Sequence, residues 1–259
     1  LIEGEIQYIK PNSMSKGTSI EVKDLFFSTP ARLKFLKSEK YETFLTKKIL
    51  HKLALSNPNV EFNFYNNDKL IFSTHPLMSS YYLEKLKKRV NDIFGKEFLD
   101  NLIDFEQDRE NFKFFGLIGL PTFNFSNNSN QFIFVNNRTV NDKLIFGSIK
   151  TAYRDYMFHD RFPQVIIFIK CPYNEVDINV HPTKSEVRFL NSNQLRSNLI
   201  NSIRTTLSTA GHRSSSVNSS RAIKSVSTNN EMMNFRKMNS VSFQENTHLK
   251  KNNEEFIKT

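Results

Sequence analysis

Gln131-Phe132-Ile133-Phe134-Val135 is a continuous apolar run of strand length in the middle of the chain. A turn at Asn136-Asn137-Arg138 follows, and the pattern then predicts a helix from about Asn141 to Met157. Val165 to Ile169 is a second apolar run of the same kind. A strand, a helix and a strand in this order form a crossover unit between parallel strands. We therefore expect a sheet with helices against at least one face.

The predicted helix after this turn has two unlike sides. At 100° per residue, Lys143, Lys150 and Arg154 fall within about 20° of one line. The apolar side chains occupy the other side: Leu144, Ile145, Ile149, Ala152 and Tyr156. A charged helix side is usually just solvated surface, and contact with phosphates is the alternative interpretation.

A second notable stretch runs from Val176 to Phe189. Two alternating apolar runs flank a polar turn that contains Pro182 and Lys184. Alternation of this kind predicts strands with one buried face, so both ends of the loop should be anchored. From spacing alone, Lys184 is either a solvated turn lysine or a cation held out toward a ligand.

The composition favours a polyanionic partner. The net charge is +10 with a pI near 9.5. From Gly211 onward there are eight Lys/Arg and four Asp/Glu, so +4 of the charge lies there and +6 in the preceding part. The segment after Gly211 is rich in Ser and Asn, which predicts a disordered linker over 211–259.

Several classes of protein are excluded by what the sequence lacks. Cys171 is the single cysteine, so a disulfide framework and a multi-cysteine zinc site are excluded. The glycine-rich phosphate loops and the zinc-protease motif are missing, and no catalytic or metal-binding residue is predicted. No apolar run approaches the roughly 18 residues that a membrane-spanning helix needs, so we expect an intracellular, cytoplasmic or nucleoid-associated protein.

Patterns in the rest of the chain predict a mixed α/β architecture. Alternation predicts two strands within residues 1–24, and Ser28 or Thr29 can cap a helical turn that begins at Pro30. Further helices are predicted over 39–56, around 83–94 and over 193–210, and further strands over 60–65, 69–74, 98–105 and 111–120. The chain begins at Leu1 without an initiator Met, so we expect a piece of a larger protein.

Three segments together resemble the MutL family of DNA mismatch repair proteins. The first is Gly17–Leu36, with a Gly-Thr pair and a Pro-Ala-Arg loop, and the second is Gln131–Asn141, with an Asn-x-Arg turn. The third is Val176–Phe189, which contains His-Pro-x-Lys followed by Glu-Val-Arg-Phe. The resemblance covers residues 1 to about 210.

The resemblance implies an α+β fold. A ribosomal protein S5 domain 2-like transducer domain would occupy residues 38–210, preceded by the terminal strands of a GHKL ATPase sheet in residues 1–37. It also implies roles for single residues. Gly17, Thr18 and Lys184 would contact ATP, with Lys184 reaching the terminal phosphate. Arg138 and Lys143 would contact DNA, and the helix pattern adds Lys150 and Arg154.

By the same resemblance, ATP and Mg²⁺ are cofactors of the intact protein. Its partners would be DNA, mismatch-recognition and downstream repair proteins, and a second copy in a homodimer. The upstream half with the family's catalytic residues is absent from this sequence, so we expect the chain alone to bind ATP weakly and to be inactive. Asn137 replaces the family's common Gly in the turn, and Asn tolerates the left-handed conformation. The alternatives are a stand-alone S5-like nucleic-acid-binding module without nucleotide linkage and an inert split-gene fragment.

Overall fold

The computed structural model describes residues 5–7, 9–11, 13, 16–177 and 187–210. The chain divides into two compact units, Leu1–Gly95 and Lys96–Thr259. The predicted linker over 211–259 and the loop that carries Lys184 lie outside the described residues.

The described residues of the first unit form three helices and one hairpin. The elements in chain order are α1 (Pro30–Leu33), α2 (Glu39–Ser56), β1 (Phe62–Asn66), β2 (Lys69–Thr74) and α3 (Tyr82–Phe94). These elements confirm the predicted helix over 39–56 and the predicted strand over 69–74. The hairpin turns at Asn67 and Asp68, which adopt φ values of 48° and 60°. Asn and Asp suit this left-handed conformation because their short polar side chains tolerate it.

The two strands predicted within residues 1–24 are not found among the described residues of that stretch. Ile6, Ile20 and Val22 are instead 66%, 82% and 72% exposed. An isolated pair of strands is only marginally stable in water without a further layer to cover it. The helical turn at Pro30 is confirmed, but Thr29 at its N-cap makes no side-chain capping hydrogen bond.

A buried arginine holds the loops of the first unit together. Arg89 of α3 is completely inaccessible to solvent. The two hydrogen atoms on its Nη2 atom are shared among the carbonyl oxygens of Pro58, Val60 and His75, at 2.7, 3.0 and 2.9 Å. One guanidinium group thus satisfies three carbonyls that loops would otherwise leave unpaired.

The second unit contains one larger sheet and two long helices. Its elements in chain order are α4 (Lys96–Asp100), β3 (Leu102–Arg109), β4 (Phe112–Gly119), β5 (Asn124–Phe125), β6 (Gln131–Val135), β7 (Arg138–Val140), α5 (Lys143–Ala152), β8 (Phe162–Pro163), β9 (Val165–Lys170), a 3₁₀ turn (Tyr173–Glu175), β10 (Val176–Asp177), β11 (Arg188–Phe189) and α6 over 192–210.

The five-stranded sheet of this unit has the order β3-β4-β9-β6-β7. Strands β6 and β9 pair in parallel, with Ile133 opposite Ile167, and the other neighbours are antiparallel. This pairing confirms the predicted crossover unit. The buried residues of α5 and α6 belong to the same core cluster as one face of the sheet. The other face carries a row of stacked rings, Phe115, Phe168 and Phe134, which are also buried.

Three predicted boundaries in this unit were wrong, and one of them is the end of β3, which lies at Arg109 and not at 105. Residues 98–100 belong to α4 and not to a strand, because Phe98 packs edge-to-face on Phe123 at 5.2 Å while the Asn101 side chain donates to the Glu97 carbonyl at 2.8 Å. Helix α5 ends at Ala152, well before Met157. The next residue, Tyr153, is buried and turns the chain away from the helix axis.

Gly116 lies in β4, where it pairs with Ile167 of the neighbouring strand β9. Its φ of 139° is a conformation that side-chain-bearing residues rarely adopt. A Cβ atom added there would lie 2.0 Å from the carbonyl oxygen of Ile166. The close approach of the two strands therefore depends on this glycine.

Gly116→Ala should lower the free energy of unfolding by about 3 kcal/mol, because it adds both a steric clash and backbone strain. Gly147→Ala is the matched control, since a Cβ at Gly147 meets nothing within 4 Å and the residue lies inside α5. That change should raise the free energy of unfolding by about 0.5–1 kcal/mol. Urea denaturation measures both, and equal effects of the two substitutions would contradict this account of Gly116.

A second prediction concerns pH and His51 of α2. Its ring packs on Phe72 and Phe94, with centroids 5.0 and 5.4 Å away. Burial, aided by the charge of Lys47, lowers the pKa of His51 from 6.5 to about 4. Between these values the unfolded chain binds a proton that the folded chain excludes. The contribution of this group is therefore present in full above pH 6.5 and is lost as the pH falls toward 4.

His51→Phe keeps an aromatic ring but cannot titrate. The stability of this variant relative to the unsubstituted protein should therefore improve steadily as the pH falls from 6.5 to about 4. Urea midpoints across that range measure the difference. A difference independent of pH would show that His51 does not titrate in the folded unit.

Candidate nucleic-acid interface

Helix α5 places a polar side outward because both of its ends are fastened. Asp142 is its N-cap, and the carboxylate accepts a hydrogen bond from the main-chain N–H of Ile145 at 3.0 Å. Ile145 and Ile149 are completely buried against the sheet. The exposed side is therefore set by the rotation that buries these two isoleucines.

The other end of α5 is fixed by Tyr153. The ring is 1% exposed, and the hydroxyl group donates a hydrogen bond to the carbonyl oxygen of Gly119 at 2.7 Å. Burial raises the pKa of Tyr153 above its usual value, so the hydroxyl keeps its proton and remains a donor. This bond joins the end of the helix to the end of β4.

The predicted basic residues of this region are exposed. Lys143 and Lys150 lie on the outer side of α5, seven residues and therefore about 10 Å apart along the axis. Arg154 was predicted to extend the same helix, but it lies in the turn that follows, where its N–H donates to the carbonyl of Thr151 at 3.3 Å. It still lines one concave surface together with Lys150.

The charges on this side are not neutralised by neighbours. Among the described residues, no carboxylate forms an ion pair with Lys143, Lys150 or Arg154. The nearby Asp155 carboxylate is instead bound by Arg204 of α6 at 3.0 Å. The outer side of α5 therefore carries net positive charge that an anionic ligand can neutralise.

Arg138 begins β7, an edge strand of the sheet, and is exposed. The preceding turn uses Asn136 and Asn137 with φ values of 46° and 67°, which confirms that Asn137 adopts the left-handed conformation. Asn136 also fastens the turn. Its amide group donates to the carbonyl of Cys171 and accepts from the N–H of Cys171, both at 3.1 Å. The position of Arg138 is thus tied to the end of β9.

A concave surface adjoins the exposed side of α5, and we call it the basic pocket. Its volume is about 320 Å³. The residues that matter for its chemistry are Gly147, Lys150, Arg154, Phe158, His159 and Arg161. Arg161 is held in place by Asn124, since its Nε donates to the Asn124 side-chain oxygen at 2.6 Å and its Nη2 donates to the main-chain oxygen at 3.1 Å.

Sequence reasoning found Lys150 and Arg154 but missed the other residues of the basic pocket. Phe158, His159 and Arg161 follow the helix in a segment without periodicity, so only the tertiary structure brings them to α5. Gly147 was the one sequence feature that could have pointed to a pocket beside α5. A glycine inside a helix costs about 1 kcal/mol relative to alanine and usually has a reason.

The predicted ATP-contacting residues are only partly described. Gly17 and Thr18 are exposed and lie outside regular secondary structure. Lys184 lies outside the described residues, but the strands on either side of its loop are described. Strands β10 and β11 pair antiparallel, with Val176 opposite Phe189, and these two side chains are 8% and 6% exposed. The predicted anchoring of both loop ends is therefore confirmed.

The described part of the chain has neither a membrane-spanning helix nor a cluster of metal-binding side chains. None of its helices is both long and apolar enough to cross a membrane. Among the same residues, no group of three or more His, Cys, Asp or Glu side chains is placed to hold a metal ion.

Comparison with known proteins gives consistent results. Residues 90–208 match the family model described as the C-terminal domain of DNA mismatch repair proteins. The DNA mismatch repair protein MutL of Rickettsia bellii (strain OSU 85-389) is 38% identical over 224 residues, which are 86% of this chain and 36% of that protein. MutL of Bartonella bacilliformis is 40% identical over 219 residues, 85% of this chain and 36% of that protein. The chain thus spans little more than a third of the length of these relatives.

A solved structure supports the fold. The crystal structure of the N-terminal domain of a DNA repair protein superposes with a TM-score of 0.58 at 23% identity, covering 73% of this chain and 59% of that one. The region that matches the family model contains the five-stranded sheet with α5 and most of α6, which is the S5-like transducer fold expected from the sequence. The chain belongs to the MutL family of DNA mismatch repair proteins.

Proposed function

We propose that this chain is the DNA-contacting, nucleotide-responsive part of a MutL-type mismatch repair protein, which couples mismatch recognition to downstream repair. The observation that carries the proposal is the unneutralised positive charge on the outer side of α5. The match of residues 90–208, which contain the crossover unit, to the DNA mismatch repair family model supports it. Contact between the basic side and DNA would depend on which nucleotide the intact protein has bound.

The DNA interface would consist of Lys143 and Lys150 on α5, Arg154 in the following turn and Arg138 on β7. All four are exposed; Lys143, Lys150 and Arg138 lie on regular elements, and Arg154 lies in the turn that follows α5. Lysine and arginine side chains neutralise phosphate charge and release counterions when they bind. Such contacts position a protein on DNA without reading bases, which suits a repair factor that acts at any sequence.

Replacing both helix lysines, Lys143→Ala with Lys150→Ala, should weaken binding to duplex DNA and flatten its salt dependence. Each lost phosphate contact lowers the slope of log affinity against log salt by about 0.9, so two contacts lower it by about 1.8. Fluorescence anisotropy of a labelled duplex at several salt concentrations measures the slope.

The matched control is Lys40→Ala with Lys88→Ala, which removes the same charge from exposed positions on α2 and α3. The control should leave the slope unchanged, because only its net charge is altered. An equal change in both double variants would mean that overall charge, and not the side of α5, controls binding.

The nucleotide-responsive part of the proposal concerns Gly17, Thr18 and Lys184. Gly17 and Thr18 are exposed, so their main-chain and hydroxyl groups are open to a ligand. Strands β10 and β11, on either side of the Lys184 loop, pair with each other, and the ammonium group of Lys184 would meet a phosphate as a point charge. ATP with Mg²⁺ would supply the negative charge that Lys184 meets in the intact protein.

The remaining assignments follow from the family. We assign residues 1–37 to the edge of a GHKL ATPase domain, 38–210 to the transducer domain and 211–259 to a linker. Mismatch-recognition proteins, downstream repair proteins and a second copy of the chain would be its partners, with the protein acting in the cytoplasm or at the nucleoid.

We expect no tight ATP binding and no magnesium-dependent ATP turnover by the purified chain alone, because the proposed nucleotide contacts are few. Release of radioactive phosphate from labelled ATP measures turnover. Turnover that depends on magnesium and disappears in Lys184→Ala would contradict this expectation, while Lys170→Ala controls for loss of a lysine elsewhere in the same unit.

A further inference from the structure

We propose that the basic pocket binds a single nucleotide unit, with its base against Phe158 and its phosphate between Lys150 and Arg154. The inference rests on the proposed function only in taking DNA as one source of that nucleotide. A free mononucleotide would offer the same chemistry, namely a planar aromatic base joined to a phosphate.

The charge of the basic pocket suits a phosphate. Lys150, Arg154, His159 and Arg161 line it, and no Asp or Glu is among its lining residues. The Arg161 guanidinium donates its hydrogen bonds to two neutral oxygens of Asn124, so this residue is held in place without losing its net charge. The guanidinium is therefore preorganised for an anion.

The aromatic part of the basic pocket suits a base. The Phe158 side chain is 82% exposed, so its ring is open to a ligand, and Met157 also belongs to the lining. The ammonium group of Lys150 already lies 5.1 Å from the centroid of the Phe162 ring. Phe162 is not part of the lining, but the basic pocket itself combines the Phe158 ring with the Lys150 and Arg154 cations. Proteins use aromatic rings beside cationic groups to bind unpaired bases and their phosphates.

Gly147 leaves room for the ligand. It lies inside α5, where glycine is unfavourable, and a Cβ there would meet nothing within 4 Å. Packing therefore gives no reason for glycine at this position, in contrast to Gly116. Without a side chain, the backbone of α5 forms an open wall of the basic pocket, and a planar ligand can approach it closely.

The size of the cavity favours one nucleotide over an acidic peptide. About 320 Å³ is near the lower limit of small-molecule sites. A peptide would need an extended groove with main-chain partners, whereas one base and one phosphate need only a compact cavity. Lys150 and Arg154 also belong to the proposed DNA interface, so a nucleotide displaced from a strand would enter directly.

The test compares binding of a labelled perfect duplex with the same duplex carrying one unpaired deoxyadenosine. The full chain should prefer the second duplex by at least about five-fold, since stacking on an aromatic ring contributes that much or more. Phe158→Ala removes the stacking surface, and Gly147→Gln fills the cavity with a helix-compatible neutral side chain. Both variants should abolish the preference.

Tyr173→Ala is the matched control, because Tyr173 is 81% exposed in the same unit and does not line the basic pocket. This variant should keep the preference. In a second experiment, free deoxyadenosine monophosphate competes with the labelled duplex for binding to the chain. If it binds and the two pocket variants lose that binding, while the unpaired nucleotide brings no preference, the natural ligand is a free nucleotide and the pocket assignment stands.

The proposal is overturned if neither the unpaired nucleotide nor the mononucleotide distinguishes the two pocket variants from the unsubstituted chain. Binding of an oligo-glutamate peptide that alone is lost in Phe158→Ala and Gly147→Gln would also overturn it. Failure of the proposed DNA interface is a separate result. In that case the Lys143 and Lys150 double variant leaves the salt dependence of duplex binding unchanged, and the mononucleotide arm still tests the pocket.

Discussion

The parallel pairing of β6 with β9 is the constraint on which the second unit depends. Parallel strands cannot be joined by a hairpin, so the chain must leave the sheet, cross its face and return. Helix α5 makes that crossing, and Ile145 and Ile149 are buried as it does so. Burial of these two residues sets the rotation of α5 about its axis. The strand pairing therefore also determines which residues of the helix face solvent.

Three hydrogen-bonding side chains fix the position of this crossover helix. The Asp142 cap fixes where α5 begins, the Tyr153 hydroxyl fixes where it ends, and the Asn136 side chain ties the preceding turn to Cys171. Each such bond contributes about 1 kcal/mol net, which is small beside the apolar burial. These bonds are directional, so they fix the rotation and the axial position of the helix, whereas apolar packing alone tolerates rotation and sliding.

The arrangement of charge differs from that of an ordinary solvated helix side. Surface charges normally lie among opposite charges, whereas here the Asp142 carboxylate caps α5 and the Asp155 carboxylate pairs with Arg204. The cations remain partly surrounded by neutral groups, such as the Phe162 ring near Lys150 and the Asn124 oxygens near Arg161. Neutral surroundings hold a cation in position and preserve its attraction for an anion.

The sequence by itself determined the class of the second unit, since the two apolar runs and the amphipathic stretch between them allow few topologies. It also placed Lys143 and Lys150 on one side, because helical periodicity is a local property. The lengths of α4 and α5 were decided by tertiary contacts of Phe98 and Tyr153, which local patterns do not contain. The basic pocket likewise exists only in the folded chain, because the segment with Phe158 and Arg161 reaches α5 through the β5–β8 pairing and through Asn124.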